Sequence, residues 1–218
     1  MKRRLMLALA CSGFTFAANA PRVVTQGFSP DARYHLLLTE VVLDGSGFPS
    51  AALQITDVTR NRIVYSREQV WKEASGAQLN TLVQGWQTSQ TGILKTYGLT
   101  APIAGEQLFR VTPLPPLAYP ATTTVNIQSQ LGQFTLSARP LPSNCPPSDR
   151  PTQGFSLTLG SRVLQNDVRL LASRACARGY RLETAWTYKS GVAVILRAYS
   201  RGFEGPDATP MVITGSLR

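Results

Sequence analysis

Tyr180-Arg181-Leu182-Glu183-Thr184-Ala185-Trp186-Thr187-Tyr188, then Lys189-Ser190-Gly191, then Val192-Ala193-Val194-Ile195-Leu196-Arg197-Ala198-Tyr199, reads as two strands joined by a tight turn. Aromatic and β-branched residues fill both arms, and Ser190-Gly191 supplies the turn chemistry of a hairpin. The same grammar recurs outward from it. Upstream, residues 155–159 and 162–165 flank Gly160, and residues 122–130 and 133–139 flank Leu131-Gly132. A short strand is expected over 108–112 and a last one over 210–214. Toward the N-terminus, apolar runs at 33–43, 52–58 and 63–65 alternate with the turn Gly27-Phe28-Ser29-Pro30-Asp31 and the loop Asp44-Gly45-Ser46-Gly47-Phe48-Pro49.

One section departs from this pattern. Leu79, Leu82, Val83 and Trp86 fall at helical spacing, and Ile93, Leu94 and Tyr97 resume it after Gly92. Two helical pieces are expected within a section spanning about 67–98. Prolines 140, 142, 146, 147 and 151 surround Cys145, which predicts an irregular crossing segment. The expected fold is mainly β, with antiparallel strands and hairpins and one helical insertion, α+β overall. Residues 21–218 are expected to form a single domain.

The first twenty residues have a different chemistry. Lys2, Arg3 and Arg4 precede an apolar stretch that ends in small residues at Ala17, Ala18 and Ala20, the layout of a secretory signal peptide. The stretch is too short for a transmembrane anchor. Ala18-Asn19-Ala20 sets the expected boundary after residue 20, although Pro21 hinders cleavage there. Cutting after Ala17, with Thr15 in the outer small position, is the substitute. Lipid attachment through Cys11 is a minor alternative, since the leucine before it sits one place too late.

Export bounds the function. The chain has 22 basic and 12 acidic residues, and the leader takes three basic ones with it, leaving 19 against 12, a net of +7. Residues 139–218 hold 11 basic and 5 acidic side chains, a net of +6. An anionic envelope surface or polysaccharide is therefore the candidate partner, through this arginine-rich half, set against solvated arginines with no partner. An exported chain is not expected to meet nucleic acid. Only Cys145 and Cys176 remain in the mature chain, and two cysteines in an oxidising compartment predict one disulfide.

Several chemistries lack their residues. His35 is the only histidine and lies in an apolar strand run, and no G-x-S-x-G turn exists to place a serine nucleophile. No phosphate-cradling glycine loop and no clustered metal ligands occur, so no cofactor, metal site or catalytic set is assigned. Two acidic glycine loops stand out: Asp44, Gly45 and Gly47 in the first, and Gly202, Glu204, Gly205 and Asp207 in the second. They read as shaped turns in which glycine sets the backbone, phenylalanine anchors in the core and acid bonds nearby N–H groups. Calcium ligation or acid–base work on a sugar is the functional alternative. Trp71, Trp86 and Trp186 are candidates for a sugar-stacking platform, with core packing expected for Trp86. The function expected is that of a non-catalytic binding or envelope-associated protein, and the alternative is a carboxylate-dependent hydrolase using Asp44, Glu204 and Asp207.

Two resemblances rest on these motifs. Phe28 to Tyr34, followed by Leu53-Gln54-Ile55-Thr56-Asp57-Val58-Thr59, resembles one blade repeat of TolB-type β-propellers, with Ala32 and Asn61 at or near the usual glycine positions. Only one copy occurs, so a complete propeller is not expected. The longer resemblance is to a family of bacterial predicted secreted proteins. It rests on Gly27 to Tyr34, Asp44 to Pro49, Leu164-Gln165-Asn166-Asp167, Ser173-Arg174-Ala175-Cys176 and Gly202 to Asp207. It implies export and a shared fold and carries no activity with it.

Overall fold

The computed structural model describes residues 18–111, 118–174, 176–203 and 205–217. Residues 1–17, with Cys11, and also Glu204 and Ala175, lie outside the described residues. β1 (Arg22–Phe28), β2 (Tyr34–Val42), β3 (Pro49–Asp57) and β4 (Arg62–Val70) form a first sheet in chain order. Helices α1 (Leu79–Ser89) and α2 (Thr91–Thr96) follow, and then β5 (Glu106–Arg110). A second meander consists of β6 (Thr124–Ser129), β7 (Gly132–Pro140), β8 (Gln153–Leu159) and β9 (Arg162–Asn166). The chain then forms β10 (Gly179–Tyr188), β11 (Gly191–Arg201) and β12 (Pro206–Ser216), which join β5 in the order β12-β11-β10-β5. All the pairings of these strands are antiparallel.

Period-two burial explains how the sheets stack. On β11, Val192, Val194 and Leu196 pack with Phe134, Leu136, Phe155 and Leu157 of the β6–β9 sheet. Ala193 and Ile195 point the other way, onto Phe28, Leu37 and Val58 of the first sheet. Both faces of β11 are covered, which is why its sequence is apolar throughout rather than alternating. The first sheet repeats the device. Leu37 faces the central sheet, while Leu36 and Leu38 face Val83, Trp86 and Leu94 of the two helices. The layers thus run helices, first sheet, central sheet, third sheet.

The expected strands are present, and three expectations change. The fold is mainly β, and α+β fits it loosely, because only α1 and α2 are α-helical among the described residues. The helical section starts later than residue 67, since β4 continues to Val70 by pairing Arg67 with Leu53 and Val70 with Ser50. Arg62, Arg67 and Glu68 give that outer strand a polar sequence, and its pairing partner decides its structure. The proline-rich stretch is the connection between neighbouring strands β7 and β8, which pair directly from Phe134↔Leu159 to Pro140↔Gln153. It crosses nothing.

Candidate functional site

The turn between β3 and β4 builds one wall of the site. Asp57 accepts the Arg60 N–H at 3.0 Å and its guanidinium at 2.9 Å, closing the turn. Asn61 then takes a left-handed φ of 48°, which asparagine tolerates better than most residues. Its amide is shared between the other two sheets. Nδ2 donates to Gln165 Oε1 at 2.8 Å, and Oδ1 accepts the Thr214 backbone N–H of β12 at 2.9 Å.

From Gln165 the network runs inward. Gln165 Nε2 donates to Asp167 Oδ1 at 2.6 Å, and Asp167 Oδ2 accepts the Phe155 N–H at 3.1 Å. Arg174 closes on the same carboxylate through Nε and Nη2, and its guanidinium stacks 5.0 Å over the Phe155 ring. The two side chains are only 1% and 4% exposed. The motifs Leu164–Asp167 and Ser173–Cys176 thereby meet in a single buried ion pair.

This network floors a cleft of about 630 Å³, within the range of small-molecule sites. Gln54, Thr56, Arg62 and Ile63 of the first sheet form one side. Leu171 and Cys176 form another, and Ser200, Thr209 and Met211 of the central sheet form the third. Among the described residues Arg62 and Arg174 are the only charged lining residues, and no aspartate, glutamate or aromatic ring lines the cleft. With Arg174 held by Asp167, Arg62 is left as an exposed cation at the entrance. Sequence reasoning missed the cleft, although Asn61 and the L-Q-N-D and S-R-A-C motifs were its visible signals.

The described residues of the two acidic loops and the three tryptophans lie elsewhere. Gly45 and Gly47 have φ of 75° and 69°, as glycine-dependent turn positions should. Gly202 is required for another reason: a Cβ there would lie 2.5 Å from both Asp207 Oδ1 and the Gly205 carbonyl. Phe203 is no core anchor. It is 83% exposed, because the short loop between β11 and β12 turns it away from the sheet, while Phe48 is half-buried. Asp44 and Asp207 are brought together by Asn19, whose Oδ1 accepts the Asp44 N–H and whose own N–H donates to Asp207 Oδ1, both at 2.8 Å. Neither carboxylate lines the cleft between the sheets. Trp71 and Trp86 meet edge to face against the helices, and Trp186 packs between the first and central sheets, so the three form no common platform.

Cys145 and Cys176 are joined in a disulfide, with Cα atoms 5.6 Å apart. Of the described arginines in residues 139–218 only Arg174 and Arg178 are buried, and several of the exposed ones are tied to the fold by hydrogen bonds. Arg139 donates to Asn166, Arg178 to the Pro146 carbonyl at 2.9 Å, Arg162 to the Leu217 carbonyl, and Arg197 to the Pro21 and Ala208 carbonyls while pairing with Glu183. A count of charges along the chain cannot distinguish such staples from a basic face.

His35 is fully buried, edge-on to Phe28, with Nε2 3.0 Å from Gln26 Oε1. Burial lowers its pKa from 6.5 to about 3. The unfolded chain therefore binds a proton that the folded chain refuses. Stability should be full above pH 6.5 and fall by roughly 1.4 kcal/mol per unit below it, about 2 kcal/mol at pH 5. No other histidine shares this window. Urea melts between pH 5 and 7 should show that slope in the wild type and lose it in His35→Gln; a slope that survives the substitution places the titrating group elsewhere.

The family described as "Predicted secreted protein (DUF2259)" matches residues 38–216, most of the chain. No curated protein matches it.

Proposed function

The chain belongs to that family of predicted secreted proteins, and from this premise we propose that it is an exported, non-catalytic binding protein whose ligand occupies the cleft between the three sheets. Arg62 carries the reading. It is a cation at the mouth of a cleft whose other charged lining residue, Arg174, is already paired with Asp167, and no acid among the described lining residues neutralises it. Such a lining suits a polar ligand bearing a carboxylate, of which an acidic envelope saccharide is the simplest class. Among the described lining residues none is a carboxylate, which favours binding over hydrolysis, since sugar hydrolysis needs two flanking the scissile bond. The first sheet, a four-stranded meander whose first turn is Phe28 to Tyr34, supports reading that unit as blade-like. No helix among the described residues is long and apolar enough to cross a membrane.

Calorimetric titration with a galacturonic acid oligomer, and with its neutral galactose counterpart, tests the proposal. Only the acidic oligomer should bind, with affinity falling as salt is raised. Arg62→Ala should weaken it by about 10- to 100-fold, the value of a charge-assisted hydrogen bond. Equal binding of both oligomers, or an unchanged Arg62→Ala, overturns the proposal, and release of shortened sugars would make the protein a hydrolase.

A further inference from the structure

The edge of β12 and the two acidic loops converge on one residue near the start of the chain. Asn19 accepts the Ala208 N–H on its carbonyl at 2.8 Å, covering the outer side of that edge strand. Its side chain holds the Asp44 N–H and its backbone N–H meets Asp207 Oδ1, as described above. Two residues on, the Pro21 carbonyl accepts Arg197 Nη1 at 2.9 Å. Further along β12, Asn61 occupies the Thr214 N–H and Pro210 brings no N–H at all. An exposed strand edge is a template for unwanted pairing, and natural sheets cover or interrupt it. Here the cover at the β12 start is Asn19.

Cleavage after Ala20 would discard this residue. It would open the Ala208 and Asp44 N–H groups, leave Asp207 without its donor, and require a peptidase to cut just before proline. The next upstream small-x-small triplet is Thr15-Phe16-Ala17.

We propose that the exported precursor is cut between Ala17 and Ala18, so that the mature chain begins Ala18-Asn19-Ala20-Pro21 and Asn19 acts as a clasp over the β12 edge. A signal peptidase would hydrolyse the Ala17–Ala18 amide, with water supplying the hydroxyl to the Ala17 carboxylate and the proton to the new Ala18 amine. The inference rests on the export reading but not on the ligand assigned to the cleft.

The test is intact mass and N-terminal sequencing of protein exported from the full-length precursor. An N-terminus at Ala18 is expected. A mature chain starting at Pro21, or lipid on Cys11, overturns the assignment, whereas a precursor retained uncut inside the cell overturns export itself. A second measurement addresses the clasp. Mature chain engineered to begin at Pro21 should melt about 5 °C below chain beginning at Ala18, as lost hydrogen bonds in a chain of this size imply. Equal melting temperatures would refute the clasp even if the cut is confirmed.

Discussion

Asp167→Ala should lower stability by about 3–5 kcal/mol, the largest single-residue loss expected in this chain, because it leaves a buried guanidinium without its counter-ion. Arg174 is enclosed under the cleft with its charge directed at Asp167, and Phe155 and Gln165 lose their acceptor in the same substitution. The effect should spread to the cleft, since Gln165 is the group to which Asn61 is anchored. Removing both charges is the informative comparison. Asp167→Leu combined with Arg174→Met should cost less than Asp167→Ala alone, since apolar groups of similar volume replace a buried pair at small cost. Urea denaturation of the two variants decides between the accounts. A loss under about 1 kcal/mol for Asp167→Ala would mean that solvent or another acid reaches Arg174.

Replacing both cysteines with serine should cost about 3–4 kcal/mol. The bridge closes a separation of 31 residues, and the chain-entropy model assigns that much to the freedom it removes from the unfolded chain. The segment it holds has few other ties. Between Pro140 and Gln153 the prolines offer no N–H, and the backbone is held by the Leu141–Thr152 bond and by Arg178 on the Pro146 and Arg150 carbonyls. Those ties remain when the bridge is removed, which keeps the cost near the entropic value. Denaturation of the Cys145→Ser/Cys176→Ser variant against oxidised wild type gives the measurement. A difference below about 1 kcal/mol would show that Arg178 and the strand pairing already restrain the loop in the unfolded ensemble.

Local chemistry was readable wherever neighbours in sequence act on one another. The turn at Ser29–Arg33 shows why: the Ser29 hydroxyl accepts the Tyr34 N–H at 3.0 Å and Asp31 accepts the Arg33 N–H at 3.1 Å, all within one short segment. Ala32 sits there at φ 60°, in a position whose usual glycine the resemblance had already marked. The hairpins, the helical spacing of Val83 and Trp86, and the pairing of the only two mature cysteines follow from the same short-range or counting logic.

The cleft could not be read in this way. Its lining comes from β3, β4, β9, β11, β12 and the segment before β10, and no spacing in the chain encodes which strand ends meet. Asn61 and Thr214 are 153 positions apart, and only the stacking of the three sheets brings them within hydrogen-bond distance. The destiny of the arginines was hidden for the same reason. By itself the sequence determined the strands, the turns and the bridge, because backbone sterics, side-chain period and thiol count act locally. The tertiary structure alone decided that β5 pairs with β10 although all four strands of the third sheet lie between them in sequence, that Asn19 reaches both acidic loops, and that Arg62 remains free at the cleft while Arg174 does not. Those outcomes depend on which apolar faces bury one another, and burial is a property of the assembled layers.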